Sequence, residues 1–264
     1  MYENCKINGK PYSLPFTTPW TNITLEEAEE ACFSKGEGWH LMTATEWGLL
    51  ANISHGEGTL PHGNTNCGKY HAESNERGEF CPTSTCITLT GSGPNTWTHN
   101  HKPDGVHDLC GNVCEWVRGF RMKDGVMQRA KDNDAAMPID LSENSENWHP
   151  FRTDDGRVVK VDASNGIRFT TGEDIEPDYT GRRWKDVECD FGVTEEMLEF
   201  AIYNGEPEAY CYLDATEGEY LAYRGGNGYN SSYDGVFCLS GGYGRSYSNY
   251  YIGFRSAYYR KTEN

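Results

Sequence analysis

The stretch Arg224–Tyr259, RGGNGYNSSYDGVFCLSGGYGRSYSNYYIGFRSAYY, differs in composition from the rest of the chain. Of the 25 residues from Asn227 to Tyr251, 20 are Tyr, Ser, Gly, Asn or Asp. Ser and Gly bury little apolar surface, whereas Tyr offers a large, stiff contact area beside adaptable polar neighbours, as in antibody paratopes. The composition therefore predicts a binding surface, and a Gly/Tyr/Ser-rich low-complexity loop is the alternative.

The Tyr, Ser, Gly, Asn and Asp residues of this stretch are set among regularly placed residues, RGG…GVF.L…IGFR, which we call the frame. Such a frame indicates an ordered scaffold. Tyr, Ser, Gly, Asn and Asp have codons that end in a pyrimidine and differ mainly at the first two bases. Mutation of the adenines in AAC or AAT codons for Asn would therefore generate all five residue types. The predicted binding face is Gly228, Tyr229, Asn230, Tyr233, Ser240, Gly242, Tyr243, Tyr247, Asn249, Tyr250 and Tyr251. The predicted buried frame is Arg224, Gly225, Gly226, Val236, Phe237, Leu239, Ile252, Gly253, Phe254 and Arg255.

The overall composition limits the classes of partner. The chain has 264 residues, enough for a substantial core, with 36% hydrophobic residues and 30 Gly, which predict a loop-rich fold. Its net charge of −17 disfavours nucleic acid and anionic membrane as main partners, because both bind basic surfaces. No run approaches the ~20 apolar residues of a membrane span. Because the N-terminus shows no secretory signal, we expect either a trimmed sequence or export within a larger particle.

Local signals predict two helices in the first third of the chain. Thr24-Leu-Glu-Glu27 and Thr43-Ala-Thr-Glu46 are capping boxes, which predict helices over about 25–35 and about 44–53. Residues 1–23 contain three prolines and are predicted to be extended. The link between the two helices is predicted to be a short strand, and Trp97 is predicted to begin the next core strand.

The ten cysteines leave several states open. Cys81 and Cys86 are close enough in sequence to pair as a disulfide. The set Cys67, His71, Cys81 and Cys86 could instead hold zinc, which takes thiolate and imidazole ligands. Free, partly buried thiols are expected for most of the cysteines. The long polar stretch 54–102 that contains this set is expected to be functional or cross-linked.

Two separated motifs resemble one known family. Gly105–Val117, GVHDLCGNVCEWV, resembles the G(L/I)(Y/W)D(L/M)xGNVWEW signature of the formylglycine-generating-enzyme branch of the C-type-lectin fold. The closing RGG…GVF…IGFRSA resembles the ending of that branch. The Asn, Tyr, Ser and Gly residues that enrich this ending resemble the variable regions of proteins diversified by diversity-generating retroelements, including phage tropism determinants. In those systems a reverse transcriptase changes the template at its adenines. The resemblance covers about 20–118 and 222–259.

The resemblance implies a single α+β, C-type-lectin-like domain over residues 1–264. Its core would be 20–118 and 222–259, with two helices packed on small antiparallel sheets. The acidic segment of about 119–221 would be a hairpin-rich insertion. Within it, runs such as 157–161 and 166–170 read as strands, and Thr194–Ile202 reads as a helix.

The resemblance also implies a function. The chain would be a non-enzymatic receptor-recognition protein on a phage tail or an extracellular surface, binding a protein or glycan on a target cell. No cofactor is expected other than a structural calcium ion. Its ligands would be Asp108 and Glu115 with the carbonyls of Gly111 and Val113, since calcium takes oxygen ligands. The same carboxylates could equally cap backbone amides.

An oxidase of the formylglycine-generating type is the alternative function. Such an enzyme holds copper with two cysteines near the C-terminus, and Ser256 stands at the matching position of this chain. The C-terminal third offers only Cys189, Cys211 and Cys238, and no histidine follows His149. A calcium-dependent sugar lectin is disfavoured because no Glu-Pro-Asn or Gln-Pro-Asp tripeptide occurs. The chain is therefore predicted not to be an enzyme.

Overall fold

The computed structural model describes residues 1–202 and 208–260, and this part of the chain is mostly β-structure. The helices are α1 (Leu25–Phe33), α2 (Ala44–Gly56) and α3 (Glu195–Glu199). The strands are β1 (Asn4–Ile7), β2 (Lys10–Ser13), β3 (Trp39–Leu41), β4 (Cys114–Lys123), β5 (Val126–Arg129), β6 (His149–Pro150), β7 (Lys160–Asp162), β8 (Arg168–Thr170), β9 (Tyr179–Arg183), β10 (Glu188–Cys189), β11 (Tyr210–Asp214), β12 (Glu219–Gly225), β13 (Gly235–Tyr243), β14 (Ile252–Phe254) and β15 (Ser256–Tyr258).

The predicted fold class, α+β with two helices on small antiparallel sheets, is wrong. One 11-stranded mixed sheet organises the described residues, in the order β10-β8-β7-β5-β4-β12-β13-β11-β9, with β14 beside β4 and β6 beside β5. The strands β11 and β13 are parallel, as are β14 and β4. Segment 119–221 does not form a separate hairpin layer, because its strands β5–β11 belong to this same sheet. Many of these strands are only two to five residues long and carry little periodic signal.

The two predicted capping boxes are confirmed. The backbone N–H of Glu27 donates to Thr24 Oγ1 (3.3 Å), and the backbone N–H of Thr24 donates to Glu27 Oε2 (2.9 Å). Thr43 and Glu46 make the same reciprocal pair at 3.0 Å each. Within residues 1–202 and 208–260, no helix has the length and apolar character needed to cross a membrane.

The large sheet buries both of its faces. Consecutive side chains of a strand point to opposite faces, so Trp116 and Val117 of β4 enter different cores. Trp116 packs with Leu25 and Ala28 of α1, whereas Val117 packs with Trp47 of α2. The cores therefore lie on either side of β4 and β12, one covered by α1 and the other by α2 and α3.

The predicted frame of the C-terminal stretch lies inside these cores. All ten frame positions are buried, from Arg224 to Arg255. The indole N–H of Trp47 donates to the carbonyl of Val236 (2.7 Å), and that of Trp184 donates to the carbonyl of Phe237 (2.8 Å). Two buried tryptophans from distant parts of the chain thus fix the start of β13.

The stretch 54–102 is cross-linked, but not as predicted. Cys67 forms a disulfide with Cys86, so the Cys81–Cys86 pairing is wrong and Cys81 is a buried free thiol. The zinc set is also wrong, because two of its thiols are bonded to each other and His71 Nδ1 lies 2.9 Å from Thr65 Oγ1. Trp97 does not begin a strand but ends a short 3-10 helix, Asn95–Trp97.

Replacing Cys67 by serine is expected to lower the free energy of unfolding by about 3 kcal/mol, because the crosslink restricts the unfolded chain. The two cysteines are 19 positions apart, a loop long enough for an effect of this size. Urea denaturation of the oxidised wild type and of Cys67→Ser measures the difference. Cys189→Ser, which removes a half-buried free thiol, is the control and should change stability little. Equal stability of wild type and Cys67→Ser would contradict the prediction.

Candidate functional site

A cleft of about 300 Å³ opens on the face of the large sheet that α1 also covers. Its lining is Cys114, Tyr179, Tyr212, Tyr223, Gly226, Asn227, Tyr229, Asn230, Cys238, Ser240, Tyr243, Tyr250 and Tyr251. Six of the eleven predicted binding residues are among them, namely Tyr229, Asn230, Ser240, Tyr243, Tyr250 and Tyr251. Seven of the thirteen lining residues are tyrosines and none is charged. The cleft is therefore neutral and aromatic in a strongly acidic protein.

Neighbouring strands build the floor of the cleft in one row. Tyr212 of β11 is opposite Ser240 of β13, Ser240 is opposite Tyr223 of β12, and Tyr223 is opposite Trp116 of β4. Residues directly opposite each other share a face of the sheet, so these side chains lie side by side. The row thus combines positions up to 124 residues apart in the sequence, from Trp116 beside the cleft to Ser240 within it.

Aromatic contacts hold the walls of the cleft. The rings of Tyr229 and Tyr250 meet edge-on at 6.1 Å, and those of Tyr250 and Tyr251 at 5.2 Å. Tyr243 stacks on Tyr247 at 3.9 Å, and the hydroxyls of Tyr247 and Tyr251 are 2.8 Å apart. Edge-on and stacked tyrosine pairs add stability beyond their burial. The wall residues therefore support one another.

Sequence reasoning missed seven of the thirteen lining residues, among them Tyr179 of β9 and Tyr212 of β11. The rings of these two tyrosines are nearly parallel (14°), with centroids 6.5 Å apart. Each ring lies against a glycine of another strand. A Cβ on Gly181, in the adjacent strand β9, would be 2.4 Å from Tyr212 Cδ1, and one on Gly242, in β13 beyond β11, would be 2.5 Å from Tyr179 Cε2. The alternation Tyr210-Cys-Tyr212 was a signal for two tyrosines on one strand face.

Five of the predicted binding residues do not line the cleft: Gly228, Tyr233, Gly242, Tyr247 and Asn249. Gly228 is buried and ties two loops together, since its N–H donates to the carbonyl of Asn112 (3.1 Å) and its carbonyl accepts from Cys67 (2.7 Å). Gly242 makes room for Tyr179, and Tyr247 supports Tyr243 from behind. Gly242 and Tyr247 therefore shape the cleft without lining it.

The phenols of the cleft are neutral at physiological pH. Burial raises the pKa of Tyr179 to about 12, and it also raises the pKa of Tyr212, Tyr223 and Tyr251. A protonated phenol both donates and accepts a hydrogen bond. The cleft therefore offers aromatic faces together with neutral hydrogen-bonding groups.

The residues expected to bind calcium are engaged otherwise. Arg255 Nε donates to Glu115 Oε2 (2.6 Å) and Arg255 Nη2 donates to Glu115 Oε1, so both carboxylate oxygens are occupied. The same guanidinium donates to the carbonyls of His107 (3.0 Å) and Asp108 (3.3 Å). The Asp108 carboxylate accepts from the backbone N–H of Gly91 (2.7 Å). Arg255 supplies the positive charge, and this arrangement does not fit a calcium ion.

The cysteines considered for copper are poorly suited to that ion. Cys211 and Cys238 are buried, and burial raises the pKa of both thiols, whereas a metal binds the thiolate. Across the described ranges 1–202 and 208–260, no group of three or more His, Cys, Asp or Glu side chains is placed to hold a metal ion.

Asp234 fixes one wall of the cleft from behind. Its Oδ1 accepts from the backbone N–H of Asn227 (3.0 Å), and Asn227 Oδ1 accepts in turn from the backbone N–H of Tyr229 (3.0 Å). Asp234 Oδ2 is buried and has no hydrogen-bond partner among residues 1–202 and 208–260, and burial raises the pKa of Asp234 to about 8. The side chain is therefore mainly protonated at neutral pH.

This raised pKa makes stability depend on pH with a definite sign. An unfolded aspartate releases its proton near about pH 4, whereas native Asp234 keeps it until about pH 8, so wild-type stability falls as the pH rises between these values. Asp234→Asn cannot ionise. Its stability relative to wild type should therefore rise from about pH 4 to about pH 8 and then level off.

Urea denaturation across this pH range measures the difference. Asp174→Asn, the same change at an exposed position, is the control and should show a flat difference from wild type. An equal slope for the two variants would contradict the assignment.

The cleft joins three parts of the chain: Cys114 in β4, the tyrosines of β9 and β11, and residues from Tyr223 to Tyr251. A fold shared with another protein would not by itself assign a function to such a site. No known protein-family model matches the chain, and a search of curated proteins finds no similar sequence.

Proposed function

We propose that the chain is a non-enzymatic ligand-binding protein whose tyrosine cleft is the recognition site. The observation that carries the proposal is that six residues picked by composition alone, spread from Tyr229 to Tyr251, line one neutral cleft. Tyr with Ser, Gly and Asn is the composition of surfaces that bind diverse partners. Recognition at this cleft requires no cofactor.

The exposed tyrosines of the cleft wall and the buried residues of the frame are different sets of residues, which supports diversification of the wall. Tyr229 and Tyr250 are 38% and 53% exposed, whereas Phe237 and Phe254 nearby in sequence are almost completely buried. Exposed substitutions usually cost little stability, and buried ones cost much. We infer that the wall residues vary by retroelement mutagenesis while the frame stays constant. The protein would act on a virion or an extracellular surface, with a protein or glycan on a target cell as partner.

The DNA beside the gene tests the retroelement part of the proposal. We expect a reverse-transcriptase gene and a near-copy of the codons for 224–255, with adenines at the variable positions. Sequencing of the flanking DNA decides this point. Absence of both would contradict diversification and leave the binding function to be tested separately.

The binding function itself is tested with a display library. We expect a library randomised at Tyr229, Asn230, Tyr243, Tyr250 and Tyr251 to yield folded binders of a purified probe such as hen lysozyme, with Kd about 1 µM. The matched control randomises five exposed residues of another loop, Ser142, Glu143, Asn144, Glu146 and Asn147. A cleft library that enriches no better than the control would contradict the proposal.

Replacing Tyr229 and Tyr250 together by alanine is expected to change the free energy of unfolding by less than about 1 kcal/mol, because both side chains are substantially exposed. Tyr223→Ala, at a position only 8% exposed, should cost several times more. Urea denaturation compares the two variants. If the double variant unfolds, these tyrosines belong to the core and the cleft cannot tolerate diversification.

A further inference from the structure

We propose that the floor pair Tyr179 and Tyr212 is a stacking site for a neutral sugar ring, so that the ligand of the cleft is a glycan. This inference rests on the proposed function, since it names the ligand class of the same cleft. Neither tyrosine lies in the stretch 224–255, so diversification of that stretch would leave both unchanged. Every variant would then present the same two rings.

The structure holds this pair as a fixed platform. Gly181 and Gly242 leave no room for a Cβ beneath the two rings, so the Tyr212 ring lies close against β9 and the Tyr179 ring extends across β11 to lie close against β13. The rings are 14° from parallel, and neither hydroxyl makes a hydrogen bond to another described residue. A ring that is already in place loses little entropy when a ligand stacks on it. The free hydroxyls remain available to the ligand.

The uncharged lining of the cleft favours a neutral ligand. None of the thirteen lining residues is charged, and a charged ligand group would lose its hydration without gaining a partner of opposite charge. A sugar ring combines apolar C–H faces, which suit aromatic rings, with hydroxyls that need donors and acceptors. The phenols and the side-chain amides of Asn227 and Asn230 are such groups.

Charge and size disfavour other kinds of ligand. An extended peptide binds well by adding a strand to a free sheet edge. Strands β11, β12 and β13 are paired on both sides, but β9, which carries Tyr179, is an end strand of the sheet among the described residues, so a peptide is the alternative to be tested. The net charge of −17 opposes phosphate-bearing ligands. A volume of about 300 Å³ is at the lower limit of small-molecule pockets and suits one or two sugar rings.

Calorimetry and saturation-transfer NMR test the ligand class on the wild-type protein. The neutral probes are the methyl pyranosides of glucose, galactose, mannose and N-acetylglucosamine, and the charged counterparts are glucuronate and glucosamine. At least one neutral probe should bind with Kd about 1–10 mM, and its charged counterpart should bind at least about tenfold more weakly. N-acetyl-tyrosinamide and N-acetyl-prolinamide represent a peptide ligand.

Variants locate the binding on the platform. Tyr212→Ala and Tyr179→Ala should each weaken binding of the neutral probe about tenfold, and Gly242→Ala, which displaces the Tyr179 ring, should also weaken it. Tyr12→Ala, at an exposed tyrosine of β2, is the control and should bind as wild type does. If one alanine variant fails to fold, the other alanine variant and Gly242→Ala still locate the binding.

The outcomes separate this proposal from the proposed function. Binding of N-acetyl-tyrosinamide but of no neutral pyranoside, lost in Tyr212→Ala, would overturn the glycan class and leave the binding function standing. Sugar binding that is unchanged in both tyrosine variants would place the sugar elsewhere and overturn the platform. If no probe binds, the glycan proposal fails, and the cleft library then decides the binding function by itself.

Discussion

Replacing Arg255 by leucine is expected to lower the free energy of unfolding by about 3–5 kcal/mol, because removal of one member of a buried ion pair leaves the other charge uncompensated. Arg255 and Glu115 are almost completely buried, and the guanidinium also satisfies the carbonyls of His107 and Asp108. The single change therefore leaves both the Glu115 carboxylate and two carbonyls without their donors.

A double-mutant cycle measures this effect by urea denaturation. The variant with Arg255→Leu and Glu115→Leu should be less destabilised than the sum of the two single variants, because neither member of the pair is left buried without the other. Arg157→Leu removes a partner of the exposed Asp155 and is the control, expected to stay within about 0.5 kcal/mol. An Arg255→Leu loss below about 1 kcal/mol would show that the pair is not needed for the fold.

Replacing Phe237 by alanine is expected to cost about 3–5 kcal/mol, because the cavity left in a packed core is only partly refilled. Phe237 is 1% exposed and lies in the core that α2 closes, beside the carbonyls held by Trp47 and Trp184. Its side chain points away from the cleft that Cys238 and Ser240 line. The substitution should therefore lower the free energy of unfolding without directly changing the residues that contact a ligand.

The same substitution at an exposed position is the control. Phe16 is 61% exposed, and Phe16→Ala should change the free energy of unfolding by no more than about 0.5 kcal/mol. Thermal and urea denaturation compare the two variants. Similar small losses would mean that Phe237 is not part of the frame.

Local signals in the sequence predicted local structure well. The capping boxes at Thr24 and Thr43 depend on residues three apart, and both are present in the structure. The sequence predicted that the frame around Phe237 is buried, because its apolar residues contrast with the small polar residues around them. Six cleft residues were found because composition alone separates a contact surface from a core.

Features that depend on distant pairings could not be predicted. The parallel pairing of β11 with β13 brings Tyr212 beside Ser240, and no short-range pattern encodes it. Disulfide connectivity likewise cannot be read from spacing, so the sequence suggested Cys81 as the partner of Cys86, whereas the partner is Cys67. The calcium prediction was made from a motif alone, whereas the cation that contacts Glu115 comes from Arg255, 140 positions later.

The pairing of β14 with β4 and of β15 with β3 sets a condition on synthesis. Ile252–Phe254 lies beside Cys114–Trp116, and Ser256–Tyr258 lies beside Trp39–Leu41. A growing chain carries unpaired strand edges and a Glu115 without its guanidinium until the segment 252–258 has left the ribosome. A truncated chain that ends before Arg255 lacks the Arg255 guanidinium and the strand β15, so it cannot complete the fold. Only chains translated through this segment can complete these pairings, so truncated products would lack the formed cleft.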